Sequence, residues 1–161
     1  MNNRIYFAAM IVAPIAAVAA PAPTTPSAYV AAAGAGDLYE VQSSRLVLAS
    51  TGNAKLKSFA NMMVADHTKS TADVKAAATA SGLTPKPPVL DPAGSKNLAA
   101  LKAVNGAARD KLYVVQQRAA HQKALALHQG YANAGTAPAL KQTAAQIVPA
   151  VKHHIEMLAS M

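Results

Sequence analysis

The chain has 161 residues, of which 52% are hydrophobic, 14% charged and 4% aromatic, with a formal net charge of +8. That length suits one domain with its own core, and so many alanines beside so few aromatics argue against a β-sandwich. The absence of cysteine excludes disulfides, thiolate metal sites and a cysteine nucleophile.

In chain order, the first segment reads as an address. Asn2, Asn3 and Arg4 form a short positive region, Ile5 to Val18 is an uncharged apolar run, and Ala17-Val18-Ala19 is a small-x-small cleavage pattern. The run is about 14 residues long, too short to cross a ~30 Å hydrocarbon layer as a helix. Residues 1–19 are therefore expected to be a signal peptide, and the mature chain to be exported, periplasmic or otherwise extracytoplasmic. Residues 20–28, with Pro21, Pro23 and Pro26, read as a Pro-rich linker.

Residues 29–161 divide at glycine and proline into four predicted helices that form an all-α, up-down-up-down bundle. These run from about Tyr29 to Ser50, Asn53 to Ser81, Lys96 to Asn133, and Pro138 to the C-terminus. Gly82 is a C′ residue for the second, Leu83 to Ser95 is a proline-bearing crossing loop, and any break in the third falls near Gly106 or Gly130. Pro149 is an expected kink in the fourth.

Apolar periodicity supports this division. Leu56, Phe59, Ala60, Met63, His67, Ser70, Val74 and Ala77 recur at three- and four-residue steps, as do Leu140, Ala144, Ile147, Val151, His154 and Leu158. In the third helix Leu101, Ala108, Leu112, Val115 and Ala119 share a stripe, and in the first Leu38, Val41 and Leu48 share a side. His121 and His128, with Gln117 and Tyr131, then form a polar, solvated face.

The lysines are scattered rather than clustered, and no aromatic-basic interleaving accompanies them. Nucleic acid is not expected as a partner; weak attraction to anionic envelope components is.

His67 and His154 lie inside apolar stripes, where an imidazole needs a hydrogen-bond partner or a metal. With the turns at Gly52 and Gly135 at one end of the bundle, Glu40, His67, His121 and His154 fall within ~10 Å of axial height at ~1.5 Å per residue. One comes from each helix. Three imidazoles and a carboxylate suit a divalent ion such as zinc, copper or iron. Glu40 and His121 nevertheless lie off the main stripes of their helices. A di-iron carboxylate site is excluded, because the chain has only Glu40 and Glu156 and lacks Glu-x-x-His.

Glu40-Val41, the string Phe59-Ala60-Asn61-Met62-Met63-Val64-Ala65-Asp66-His67-Thr68, Asp110-Lys111-Leu112-Tyr113, His121-Gln122, and Ile147-Val148-Pro149 with His154 resemble an exported bacterial family, domain of unknown function 4142. The resemblance covers about Tyr29 to Leu158. It implies a ferritin-like helical bundle and no established reaction. Its characteristic positions fall on Glu40, Asp66, His67, Asp110, Tyr113, His121 and His154, which makes Asp66, Asp110 and Tyr113 the expected supports of the ligands. The chain departs from the family pattern at Ala108-Arg109, where an aromatic usually precedes the aspartate.

No catalytic triad, nucleophile elbow, phosphate loop or dinucleotide fingerprint is present. The expected function is that of a non-enzymatic helical protein of the cell envelope. The alternative is a divalent-metal-binding protein with a His/Glu site between the helices.

Overall fold

The structure, a computed structural model, describes residues 23–161. The expected signal peptide and the start of the linker lie outside the described residues. Five helices and no strands are found among the described residues: α1 (Pro26–Leu48), α2 (Ala54–Ala80), α3 (Pro92–Lys102), α4 (Gly106–Ala134) and α5 (Pro138–Ala159). None is long and apolar enough to cross a membrane.

Local chemistry sets most boundaries. Pro26 occupies the first turn of α1, where its missing N–H costs nothing, so this helix claims the last three residues of the expected linker. Asn53 caps α2 by accepting from the Leu56 amide. At the other end of α2, Gly82 takes φ +77°, while the amides of Gly82 and Leu83 donate to Thr79 and Ala78. That is a Schellman stop, which glycine adopts without steric penalty. Asp91 caps α3 through the Gly94 amide, with Pro92 in the first turn. The expected third helix is thus two, separated at Ala103–Asn105, and the expected crossing loop is partly helical.

The contacts fix the direction of each helix. Thr51 donates to Asp110 at 2.8 Å, and the Arg109 guanidinium reaches the Leu46 carbonyl, so the end of α1 meets the start of α4. Tyr29 stacks on Tyr131 at 3.9 Å, joining the start of α1 to the end of α4. Lys55 donates to Ser160, joining the start of α2 to the end of α5. Helices α1 and α5 therefore run one way, and α2 and α4 the other. This corrects the up-down-up-down four-helix expectation: residues 81–105, including α3, travel back along the molecule and place the Gly52 and Gly135 turns at opposite ends. The returning chain presses close to α1, where a Cβ on Gly34 would lie 3.1 Å from Pro88 Cβ.

Arg109 secures the end of this crossover. Its guanidinium is buried and donates to the carbonyls of Leu101, Val104 and Leu46, to Ser50 Oγ and to Asn105 Oδ1.

The interior has three storeys. Val47, Leu56, Phe59, Ala60, Met63, Leu101, Tyr113 and Leu158 form one apolar cluster, and Tyr29, Ala33, Val74, Ala77, Ala78, Tyr131, Leu140 and Ala144 form the other. Between them, along each long helix, lie buried polar groups: Asp37, Glu40 and Ser43 on α1, His67 and Ser70 on α2, Gln117 and His121 on α4, and His154 on α5.

The expected stripe of α2 is buried throughout, and that of α5 is buried apart from half-buried Ile147. For α4 the expected faces are reversed. Ala108, Val115 and Ala119 are exposed, whereas Tyr113, Gln117, His121, His128 and Tyr131 are buried. The face expected to be solvated is turned into the core because polar partners on α1, α2 and α5 receive it. Leu38, Val41 and Leu48 of α1 are only half-buried.

Gly135 closes α4 directly over Tyr131: a Cβ there would lie 2.6 Å from the ring and 2.6 Å from the Tyr131 carbonyl oxygen. Gly135→Ala should lower stability in urea denaturation by about 1–3 kcal/mol through overpacking. Gly52→Ala, where a Cβ meets nothing within 4 Å, should not destabilise the protein comparably.

Candidate metal centre

His67, His121 and His154, from α2, α4 and α5, each offer a ligand atom, and these atoms lie within 4.8 Å of one another. The rings are mutually inclined, with centroids 5.3–5.7 Å apart. Each ring is tied from outside by a group that can only accept a hydrogen bond. His67 Nδ1 donates to Asp37 Oδ1 at 2.8 Å, His154 Nε2 to Asp66 Oδ2 at 2.9 Å, and His121 Nδ1 to the Gln117 carbonyl at 2.9 Å. A neutral imidazole carries one N–H, so in each neutral ring the remaining nitrogen presents a lone pair. Those nitrogens are His67 Nε2, His121 Nε2 and His154 Nδ1.

Two of them, His121 Nε2 and His154 Nδ1, stand 3.3 Å apart. Ligand nitrogens on a tetrahedral ion at 2.0–2.1 Å stand ~3.3 Å apart as well. His67 Nε2 is buried without a hydrogen-bond partner, and so are Glu40 Oε2 and Gln117 Oε1. Glu40 Oε1 lies 3.8 Å from His121 Nδ1. Burying such atoms without partners is costly, and a cation among them would relieve the cost.

Burial and neighbouring charge divide the cluster's protons unequally. Burial lowers the pKa of His121 to about 3, reinforced by the charge of His67. Burial also lowers His154, against the opposing bond from Asp66. For His67, burial is outweighed by the Asp37 hydrogen bond and the charges of Glu40 and Asp37, so its pKa is raised. Glu40 is raised by burial to about 7, although His67 and Gln117 pull it down. His67 and Glu40, both raised and coupled to each other, are thus the groups that hold a proton more tightly, whereas His121 and His154 hold one less tightly.

Of the four expected ligands, His67, His121 and His154 come together, while Glu40 is buried in the same layer beside the outer nitrogen of His121 rather than among the three inner ones. Asp66 supports the ring of His154, on a different helix, rather than that of its chain neighbour His67. Asp110 bonds Thr51 and Tyr113 bonds Ser44 at 2.7 Å; no hydrogen bond joins either to the three rings. Two buried groups were not among the sequence candidates. Asp37 orients His67 and also accepts from Thr71, and its place three residues before Glu40, on the same face of α1, was the available signal. The sequence pattern puts His128 on a solvated face, yet it is 3% exposed and Tyr29 bonds its Nδ1 at 2.9 Å.

Two cavities flank the helices. The larger, about 740 Å³, lies between α1, α2 and the proline-bearing crossover and includes none of the histidines. The smaller, about 270 Å³, is lined by α1, α3 and α4 with His67 of α2, and includes Glu40 and His128.

The chain belongs to the family described as domain of unknown function DUF4142, which matches residues 12–161. None of the curated proteins matches it. Two of the solved structures that match it share its helical fold. One is a DUF305 fragment from Deinococcus radiodurans, with a TM-score of 0.73 and 16% identity, covering 88% of this chain and 97% of that one. The other is a DUF305 protein from Streptomyces coelicolor described as secreted, with a TM-score of 0.67 and 14% identity, covering 85% and 91%.

His128 supplies a test of the polar layer without touching the three rings. Burial lowers its pKa to about 4, the charge of Asp37 opposing and that of His67 assisting. The unfolded chain therefore binds the proton more readily, and the stability this group contributes is present above about pH 6.5 and lost as pH falls toward 4. Glu40 and His67, both raised, act in the opposite sense and are common to the wild type and a His128 variant. Between pH 7 and pH 5, the wild type should lose about 2 kcal/mol more than His128→Gln in urea titrations.

Proposed function

We propose that this DUF4142 chain is an extracytoplasmic metal-binding protein. It holds one divalent cation of the zinc, copper or iron class at His67, His121 and His154, with Glu40 as a buried acidic neighbour in the same layer. The observation that carries the reading is the triple outward tethering of the rings. Asp37, Asp66 and the Gln117 carbonyl take up the outer N–H groups, which leaves one nitrogen of each ring for a ligand in a buried cluster whose ligand atoms lie within 4.8 Å of one another. Metal-ligating histidines are held in this way, by a carboxylate or carbonyl on the far nitrogen. Of the inner nitrogens, His67 Nε2 has no hydrogen-bond partner, and His121 Nε2 and His154 Nδ1 have only each other.

Three imidazole nitrogens, with a fourth position left open, suit a four-coordinate borderline ion better than magnesium or calcium, which favour all-oxygen shells. The single long crossover between two antiparallel pairs supports a ferritin-like connectivity, with a mononuclear site in place of two carboxylate-bridged irons. Extracytoplasmic placement is supported by the leader-like pattern of residues 1–19 and by a structural neighbour that is described as secreted. The scattered lysines support weak attraction to anionic envelope polymers.

Untagged protein should take up one zinc or copper ion per chain by elemental analysis, with thermal stability rising as free metal exceeds its dissociation constant, by about 2.7 kcal/mol at a hundredfold excess. His67→Ala with His154→Ala should abolish both effects. Asp37→Asn and Asp66→Asn should each weaken binding by about 10- to 100-fold while leaving the stoichiometry intact. Wild-type protein that binds neither metal, and whose melting does not respond to them, would overturn the proposal.

A further inference from the structure

The net charge of +8 sets a problem for a cation that must reach a buried layer, since the molecule as a whole repels it. The chain carries seven acidic residues, and three of them, Asp37, Glu40 and Asp91, line the 270 Å³ chamber between α1, α3 and α4. Asp91 is exposed at its outer side, whereas Asp37 and Glu40 are 4% exposed at its inner side. His67, whose Nε2 is buried and unpartnered, lines the same inner side. The acidic groups thus run from an exposed residue to buried ones beside a ligand, and Lys123 is the one lysine or arginine on the chamber wall, with His67 and His128 the other basic side chains.

The other walls are small. Gly36, Gly94, Ala120 and Ala124 line the chamber, and the crossover makes it possible by laying α3 across the cleft between α1 and α4. Six waters occupy roughly 180 Å³ at the density of the liquid, so a hydrated ion fits before it sheds its shell.

We propose that this chamber is the port through which a hydrated divalent cation enters and leaves the histidine centre, with Glu40 and His67 as the first groups to replace its water. The inference rests on the metal-binding reading above and adds to it a route and a direction of approach. Asp66, whose side chain is 43% exposed beside His154, marks the opposite, competing route.

Gly36 offers the plug. It is exposed on α1, and a Cβ there meets nothing within 4 Å, so a larger side chain can be seated without a backbone clash. Zinc uptake followed by stopped flow with a metallochromic chelator, and zinc release to excess chelator, should both slow at least tenfold in Gly36→Phe. The equilibrium dissociation constant should stay within threefold of wild type, because no ligand is altered. Gly36→Ala should exchange at the wild-type rate. Ala120→Leu, which narrows the chamber from α4, should slow exchange in the same paired manner and guards against misfolding of the phenylalanine variant, which circular dichroism would detect.

Unchanged rates in folded Gly36→Phe and Ala120→Leu, with wild-type zinc stoichiometry, would overturn the port and favour the Asp66 side while leaving the centre standing. A wild type that binds no zinc would instead overturn the centre, and the port with it.

Discussion

Three imidazoles in the middle of this protein have their outer N–H groups committed to acceptors, and the arrangement of the rest follows from accommodating that. A polar layer of this kind is expensive in a helical core. It is tolerated because apolar clusters built around Phe59, Met63 and Tyr113 on one side, and Tyr29, Tyr131 and Leu140 on the other, hold the four long helices at fixed spacing. Aromatic contacts reach into the layer as well: the ring of Phe59 meets that of His154 edge-on, 6.4 Å between centroids. The clusters set the distance between helices, and the tethers on Asp37, Asp66 and Gln117 set the rotation of each ring. Both are needed for the three rings to lie with centroids 5.3–5.7 Å apart rather than merely to share a height.

The pattern that makes helices legible in a sequence is apolar recurrence, and it works where the buried face is apolar. Helix α2 and most of α5 are of that kind, so their inward residues, including His67 and His154, could be read directly. Helix α4 is the opposite case. Its inward face carries Arg109, Gln116, Gln117, His121 and His128, so hydrophobicity selects the wrong side and leaves Val115 62% exposed. Nothing local to α4 announces that its polar residues are core; the information lies in partners on other helices, such as Tyr39 for Gln116 and Ser43 for Gln117.

Helix direction was equally hidden, since an amphipathic stripe reads the same from either end. The axial height of His121 survived the wrong topology because it sits near the midpoint of α4, where counting from either end gives a similar height; His154, near the end of α5, has no such protection. The departure from the family pattern at Ala108-Arg109 marks the crossover's anchor.

That anchor has a property uncommon for a charged group. The Arg109 guanidinium meets only neutral oxygens, three carbonyls, a serine hydroxyl and an asparagine amide. Added electrolyte screens pairs of exposed ions such as Lys69 and Asp73, but it has no opposite charge to screen at this joint. The fastening of the crossover, and with it the wall that α3 builds beside the histidines, is therefore indifferent to the salinity of the surroundings.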